Sequence, residues 1–476
     1  MAATILTRRT GRKEQRRHHE GFLVYADAAQ LRDRAALRVA FQGMSALAES
    51  IARRLREAGH EAWYVGGCVR DQLLGRPAKD FDLATAARPE ELLRLFPNAD
   101  RVGAHFGVVL VQEAGEMVEV ATFRSDMAYT DGRHPAGVQF ESSPREDALR
   151  RDFTINALFR DPFTGGILDF VGGRADLEAR IIRTVGDPAR RFAEDHLRLL
   201  RAVRFAARLG FEIEPATMSA MRSLAPMIHK VSAERVRDEI VRILTEGGAR
   251  RGFELLDESG LLKEVLPEIA AMKGVEQPPE FHPEGDVWVH TLLMLDGMRS
   301  PSGTLALGVL LHDVGKPATF RIAERIRFDG HVEKGVEIAR SILGRLRFPG
   351  QVIEDAVALV ENHMKFRDVP HMRESRLKRF LRMDGFEEHM ELHRLDCLSS
   401  HGGLDNYDFV RAKQREMPPE VLRPVALLTG LDLIAAGFVP GPRFGPALRA
   451  VEDAQMENRV ATKEAALELA CRVILA

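Results

Sequence analysis

Two acidic residues separated by one position could do phosphoryl chemistry: Asp80 and Asp82 in Lys79-Asp80-Phe81-Asp82. On a strand, alternate residues point to one face, so both carboxylates would meet the same ion. Hard oxygens at short range suit Mg²⁺, and two such ions activate an attacking hydroxyl and stabilise a leaving pyrophosphate. Alone, such a pair is more often two solvated carboxylates on an edge strand. Glu119, set between Val118 and Val120, is either a third carboxylate for the same ions or the polar face of an amphipathic strand. Upstream, Gly66 and Gly67 in Val65-Gly66-Gly67-Cys68-Val69-Arg70-Asp71 let a backbone approach a ligand where a helix begins, a place that favours phosphate. In Arg150-Arg151-Asp152-Phe153-Thr154-Ile155-Asn156, the arginines suit triphosphate oxygens, and Asp152 and Asn156 suit ribose hydroxyls.

A third group lies in Glu194-Asp195-His196-Leu197-Arg198, followed by Arg201 and Arg204. If one helix spans Arg191 to Leu209, Asp195 and Arg198 are neighbours on one face. They then form either a local salt bridge or a base-reading pair. An aspartate accepts from an exocyclic amine and an arginine donates to the adjacent ring nitrogen, which matches cytosine and adenine and opposes guanine and uracil.

Further along stand His290, His312-Asp313 in Leu310-Leu311-His312-Asp313-Val314-Gly315-Lys316, His331, His363 and Asp396. Neutral imidazoles and carboxylates suit Mn²⁺, Ni²⁺, Fe²⁺ or Mg²⁺, and the absence of thiolates argues against structural zinc. A likeness of these residues to the HD phosphohydrolase superfamily implies that His290, His312, Asp313 and Asp396 are the better ligands. His331 and His363 are further ligands or phosphate contacts.

GGxVRD, DxD, RRDFTINAL and EDxxR, in this order and spacing, resemble the class II tRNA nucleotidyltransferase and bacterial poly(A) polymerase family over about residues 60 to 245. Asp169 to Arg174 and Glu234 to Glu239 extend the likeness. The resemblance implies an α+β, polymerase beta-like head with a small mixed sheet, then a mostly helical body. It implies that Asp80 and Asp82 hold Mg²⁺, with Glu119 as third carboxylate. Gly66, Gly67, Arg70, Arg151, Asp152, Asn156, Arg201 and Arg204 would hold CTP or ATP, and Asp195 with Arg198 would select the base. The activity implied is addition of C and A to the 3′ end of tRNA; a poly(A) polymerase or A-adding enzyme shares every head motif. The downstream histidines resemble the HD phosphohydrolase superfamily, in which some fused domains are phosphatases or cyclic phosphodiesterases. A reading of another class is an HD phosphohydrolase whose head only binds RNA. Residues 125 to 148 look like the family's flexible loop, and Thr429 to Gly445 like its RNA-binding end.

The elements that must position these residues follow from length and patterning. A chain of 476 residues exceeds one ordinary core, so several domains are expected. The reading divides it into a basic tail (1–35), a head (36–174), a helical neck (175–275), an HD domain (276–405) and a helical tail (406–476). Its 45% hydrophobic and 29% charged residues exclude wholesale disorder and a fibrous rod. Acidic and basic residues nearly cancel to a net charge of −2, so RNA must be met by local patches. Three scattered cysteines exclude a disulfide scaffold and suit a reducing cytosol. No apolar run is long enough for a membrane span, and neither a membrane nor DNA is an expected partner. The six Arg/Lys of the first twenty residues form a disordered tail or an RNA-contacting arm. Strands are expected at Glu61–Val65, Asp80–Ala84, Val108–Gln112 and Met117–Thr122, with long helices from about residue 175 and a linker at Gln277–Pro283.

Overall fold

The computed structural model describes residues 46–475, apart from 79, 101–106, 114, 127–136 and 281. The basic tail of residues 1–35 lies outside them. The chain divides into two compact units: a head running to Ala179 together with Arg183–Gly186, and a helical unit comprising Arg180–Ile182 and the residues from Asp187 onward.

In the head, α1 (46–57) ends before Gly59 and leads to β1 (Ala62–Val65), an apolar strand with Ala62, Tyr64 and Val65 buried. Gly66 then takes φ 72° and ψ −132°, a conformation costly to any residue with a Cβ, and turns the chain into α2 (Gly67–Leu73). β2 (Asp82–Thr85) runs antiparallel to β1 with Asp82 opposite Val65. After α3 (Pro89–Leu95) come β3 (Val108–Glu113) and β4 (Glu116–Thr122). β4 alternates cleanly: Val118, Val120 and Thr122 are buried while Met117 and Glu119 are exposed. It lies parallel to β2 with Val120 opposite Leu83, a register that sets Glu119 beside Asp82. β5 (Arg124–Asp126) pairs antiparallel with β6 (Val138–Phe140), and α4 (Pro144–Leu149) follows. β7 (Leu158–Arg160) and β8 (Ile167–Asp169) complete a six-stranded mixed sheet of order β3-β4-β2-β1-β7-β8, and α5 (Gly173–Ala179) ends the run. Val65, Ala84, Phe123, Ala148, Ala157, Phe159 and Val185 form an apolar cluster in this unit.

Two strand-level expectations are corrected here. The second strand begins at Asp82, not Asp80; Asp80 is exposed ahead of it, because pairing with β1 starts at the Val65–Asp82 register. The span 125–148 is not one structureless loop: β5, β6 and α4 occupy its ends, and 127–136 lie outside the described residues.

The helical unit opens on β9 (Ile181–Ile182), α6 (Pro188–Glu194), α7 (Arg198–Leu209) and β10 (Glu212–Ile213), with β9 and β10 parallel. The single helix expected over Arg191–Leu209 is therefore two. Asp195 is extended (φ −145°), and its carboxylate accepts from the Leu197 amide, so the side chain stops one helix and starts the next. α8 (Pro215–Leu224), α9 (Ala233–Thr245), α10 (Ala249–Glu258) and the short α11 (Leu261–Val265) and α12 (Pro267–Ala270) follow.

α13 (Val287–Gly297) and α14 (Gly303–Leu311) come next, the latter buried from Leu305 onward and apolar on all sides, as a central helix must be. α15 (Lys316–Thr319), the two-residue strands β11 (Arg321–Ile322) and β12 (Ile326–Arg327), α16 (His331–Arg345) and α17 (Gly350–Asn362) surround it in sequence. Gly315 lets α15 meet α16: a Cβ there would stand 2.1 Å from the His331 carbonyl oxygen and 2.6 Å from the Gly335 nitrogen. The remainder is α18 (Glu374–Leu381), α19 (Phe386–Ser399), α20 (Asp405–Glu416), α21 (Pro419–Leu422), α22 (Gly430–Ala435), α23 (Phe444–Met456) and α24 (Lys463–Leu475). Among the described residues no helix is long and apolar enough to cross a membrane.

Candidate active sites

The head gathers its sequence-flagged groups around the junction of β1, α2 and β2. Asp82 is half-buried; burial and the Glu119 carboxylate push its pKa up to about 6, with Arg151 opposing and Asp80 adding to the rise. A cation would relieve this crowding of like charge, which is the fit expected of a divalent-metal site built from oxygen donors. A Cβ on Gly66 would lie 3.4 Å from Arg151 Nη1, so the glycine leaves space beside that guanidinium. Arg151 is held in turn by Asp147, whose Oδ2 accepts from Nε at 3.1 Å and Nη2 at 2.9 Å. Asp147 has no exposed surface and also accepts from Arg150. Sequence reasoning missed Asp147; the signal was an acid four residues ahead of Arg151 on a short helix.

Arg70 and Asn156 are less free than their motif suggests. Arg70 is 2% exposed and donates to Asp71 (2.8 Å) and to Asn156 Oδ1 (2.7 Å). Asn156 donates to Asp152 Oδ1 (3.2 Å), which also accepts from the Phe153 amide. Together these bonds tie α2 to the Thr154–Asn156 turn and shape the site from beneath.

In the helical unit, the expected pairing of Asp195 with Arg198 on one helix gives way to other partners. Arg235 clamps Asp195 through two bonds of 3.2 and 2.8 Å, while Arg198 donates to Glu194 (2.7 Å) and to the Arg191 carbonyl (2.9 Å). The apolar spacing runs unbroken through residues 192–199, which hid the break. Arg201 stacks near Phe205, and Arg204, 5% exposed, donates to Glu239 and Glu246. Arg204 therefore ties α7 to α9 and to the residue that ends it.

The same unit gathers all six residues flagged downstream. His312 and Asp313 follow α14, His331 opens α16, His363 follows α17, and Asp396 sits in α19, where His290 of α13 faces it. Asp313 is the hub: Oδ2 lies 3.2 Å from His312 Nε2, and Oδ1 lies 3.9 and 3.8 Å from the Nε2 atoms of His331 and His363. His290 Nε2 stands 3.1 Å from Asp396 Oδ1. In His312, His331 and His363, Nδ1 donates to the carbonyl three residues earlier, at 2.9, 2.9 and 2.6 Å. This leaves the lone pair on Nε2. Among the described residues, the buried Nε2 atoms of His290, His312, His331 and His363 have no hydrogen-bond partner. Buried acceptors are rarely left unsatisfied, and four that converge on carboxylates fit a divalent metal. Among the described residues, His290, His312 and Asp313 bring ligand atoms within 4.8 Å of one another, as do Asp313, His331 and His363. Lys316 Nζ pairs with Asp313 Oδ2 at 2.6 Å, and burial is outweighed by Lys316 and His312 in holding that carboxylate well below its usual range. His282, inside the span expected to be a linker, and Glu284, just after it, join His290 in a third such group.

Residues 62–183 match the poly A polymerase head domain, 210–273 the probable RNA- and SrmB-binding site of polymerase A, and 287–420 the HD domain. The chain thus carries segments similar to a poly A polymerase head, a polymerase A RNA-binding site and an HD domain, in that order. A curated relative, the CCA-adding enzyme of Geobacillus stearothermophilus, is 45% identical over 220 residues, 46% of this chain and 54% of the relative. The chain thus matches about half the length of such curated relatives. The structure of the Bacillus stearothermophilus CCA-adding enzyme in complex with CTP is 28% identical, with a TM-score of 0.69, covering 90% of this chain and 97% of that one. The Thermotoga maritima CCA-adding enzyme complexed with tRNA shares the fold at 18% identity and a TM-score of 0.55.

Proposed function

We propose that this chain is a template-independent nucleotidyltransferase that adds C and A to the 3′ end of tRNA, using CTP and ATP and releasing pyrophosphate. One observation carries the reading: Asp82 and Glu119 meet across β2 and β4, with Asp80 and Arg151 acting on the same carboxylate. Asp80 and Asp82, with Glu119, hold Mg²⁺, which when bound lowers the pKa of an attacking hydroxyl and neutralises a leaving phosphate. The RNA 3′-hydroxyl attacks the α-phosphorus, and the bond to pyrophosphate breaks. Arg151, fixed by Asp147, supplies positive charge to the triphosphate beside the open space at Gly66, while Gly67, Arg70, Asp152 and Asn156 shape the nucleotide's seat. Asp195 and Arg198 choose the base, and Arg201 and Arg204 serve the same nucleotide. tRNA is held by shape and phosphate contacts along the helical body.

The proposal assigns residues 36–174 to the head, 175–275 to the neck, 276–405 to the HD domain and 406–476 to an RNA-binding tail. In the HD domain, His290, His312, Asp313 and Asp396, with His331 and His363, hold Mn²⁺, Ni²⁺, Fe²⁺ or Mg²⁺ for phosphoester hydrolysis.

The test is incubation of purified protein with tRNA lacking its CCA end, with CTP and ATP singly and together. Addition of two C and one A is expected, and Asp80→Ala or Asp82→Ala should reduce it to below a few per cent. Repeated A addition from ATP alone would instead mark a poly(A) polymerase. No pyrophosphate release from any mixture would leave the head as an RNA-binding module.

A further inference from the structure

The segment between α12 and α13 reads as a linker in sequence but packs as a strap against the HD centre. Its ends pair through the Glu276–Asp286 bridge and the Gln277 amide donating to the Gly285 carbonyl. Gln277 Oε1 accepts from Lys316 Nζ at 2.6 Å, and Lys316 in turn holds Asp313. Glu284, its side chain 6% exposed, presents Oε1 to two imidazoles: His290 Nδ1 at 2.7 Å and His282 Nδ1 at 2.8 Å. Its Oε2 is buried and has no hydrogen-bond partner among the described residues. His282 lines a cavity of about 320 Å³ that is also walled by His363, Arg367, His393, Asp396 and His401.

We propose that Glu284 is a positioning residue of the HD metal centre, fixing His290 as an Nε2 ligand and placing His282 at the cavity wall. His312, His331 and His363 have their Nδ1 atoms bound by carbonyls of their own chain turn, whereas His290 has this carboxylate in that place. A carboxylate on Nδ1–H fixes the tautomer and ring angle and raises the basicity of Nε2 more than a neutral carbonyl does. A competing role, in which His282, Glu284 and His290 bind an ion of their own, would require His290 to give both nitrogens to metals. The two short Nδ1 contacts to one oxygen fit hydrogen bonds instead.

This inference rests on the HD segment binding metal, and one set of titrations separates the two claims. Mn²⁺ is titrated into the chelator-stripped full chain, with affinity and stoichiometry read by electron paramagnetic resonance and folding by circular dichroism. Glu284→Ala should weaken Mn²⁺ binding 10- to 100-fold at unchanged stoichiometry, the range seen when such outer partners are lost. Glu284→Gln keeps an acceptor for Nδ1–H and should recover most of that loss, while Glu280→Gln on the same strap should change nothing. A downfield His290 Nδ1–H resonance should vanish in Glu284→Ala and persist in Glu284→Gln. Affinity within threefold of the parent in folded Glu284→Ala overturns the positioning role. Loss of one whole ion in both Glu284 variants overturns it in favour of direct ligation. A parent chain that binds no Mn²⁺ in the HD segment, tested with Asp313→Ala as the reference, overturns the metal reading itself.

Discussion

Asp147 shows how a residue with no chemistry of its own controls one that has it. Its carboxylate is fully buried and held by Arg150 and Arg151, whose charges outweigh burial and lower its pKa. A carboxylate depressed in the folded state stabilises fully above its unfolded pKa of about 3.9 and loses that contribution as pH falls through the folded value. We therefore expect part of the parent's acid-induced loss of stability, below about pH 4, to be missing in Asp147→Asn. Urea melts from pH 7 to 3 measure this, and superimposable acid limbs would count against it. Asp147→Ala should cost about 3 kcal/mol, since it removes the buried carboxylate that two partly buried guanidinium groups share, and nucleotide addition should fall with it as Arg151 loses that anchor. At Asp195, the double bond to Arg235 gives two outcomes to separate. If Asp195 reads the base, Asp195→Ala should raise UTP use relative to CTP, and GTP relative to ATP, by about ten- to a hundredfold. Arg235→Ala should lower activity through disorder of Asp195 with a smaller change in preference. Equal preferences in parent and Asp195→Ala, in four-nucleotide competition, would end the template role.

At the scale of elements, close approach decides what a motif can do. Gly315 stands where α15 meets the first turn of α16, and that contact delivers His331 to Asp313. Gly315→Ala places a methyl group against backbone atoms, which cannot rotate away, and should cost about 1–3 kcal/mol. We expect at least a tenfold loss of Mn²⁺ affinity in this variant, with nucleotide addition spared. Parent-like Mn²⁺ binding would mean that α16 can shift without harm. The break between α6 and α7 is a second case. Apolar periodicity describes which face of a helix is buried, and it continues across Asp195; the side-chain bond to the Leu197 amide that ends the helix has no periodic signature.

For the whole molecule, the proposed Mg²⁺ carboxylates lie in one compact unit and the proposed HD ligands in the other, so loss of the HD centre should leave nucleotide addition. Asp313→Ala is expected to abolish Mn²⁺-dependent phosphatase or 2′,3′-cyclic phosphodiesterase activity while CCA addition continues. Coupled loss of both would refute the separation. Saturating Mn²⁺, at about 100 times its Kd, should stabilise the unit that binds it by about 2.7 kcal/mol. The corresponding rise in Tm should disappear in Asp313→Ala. Much of the head was legible beforehand: the strands at Ala62–Val65 and Glu116–Thr122 and the Gly66 turn follow from local alternation and glycine chemistry, whereas the placing of Asp80 ahead of its strand did not. That the six downstream residues would be brought together was legible in part, from a His-Asp pair before Gly-Lys with a histidine about twenty residues upstream. What tertiary structure alone decided was partnership. Arg70 binds Asn156 from 86 positions away, Asp195 binds Arg235 from 40, and Glu284 reaches both His282 and His290 while their own strap closes on Gln277. Sequence determines which residues carry charge, ring or carboxylate, because those properties are covalent. Which partner each finds depends on the register of strands and the packing of helices, where residues remote along the chain come within hydrogen-bonding distance.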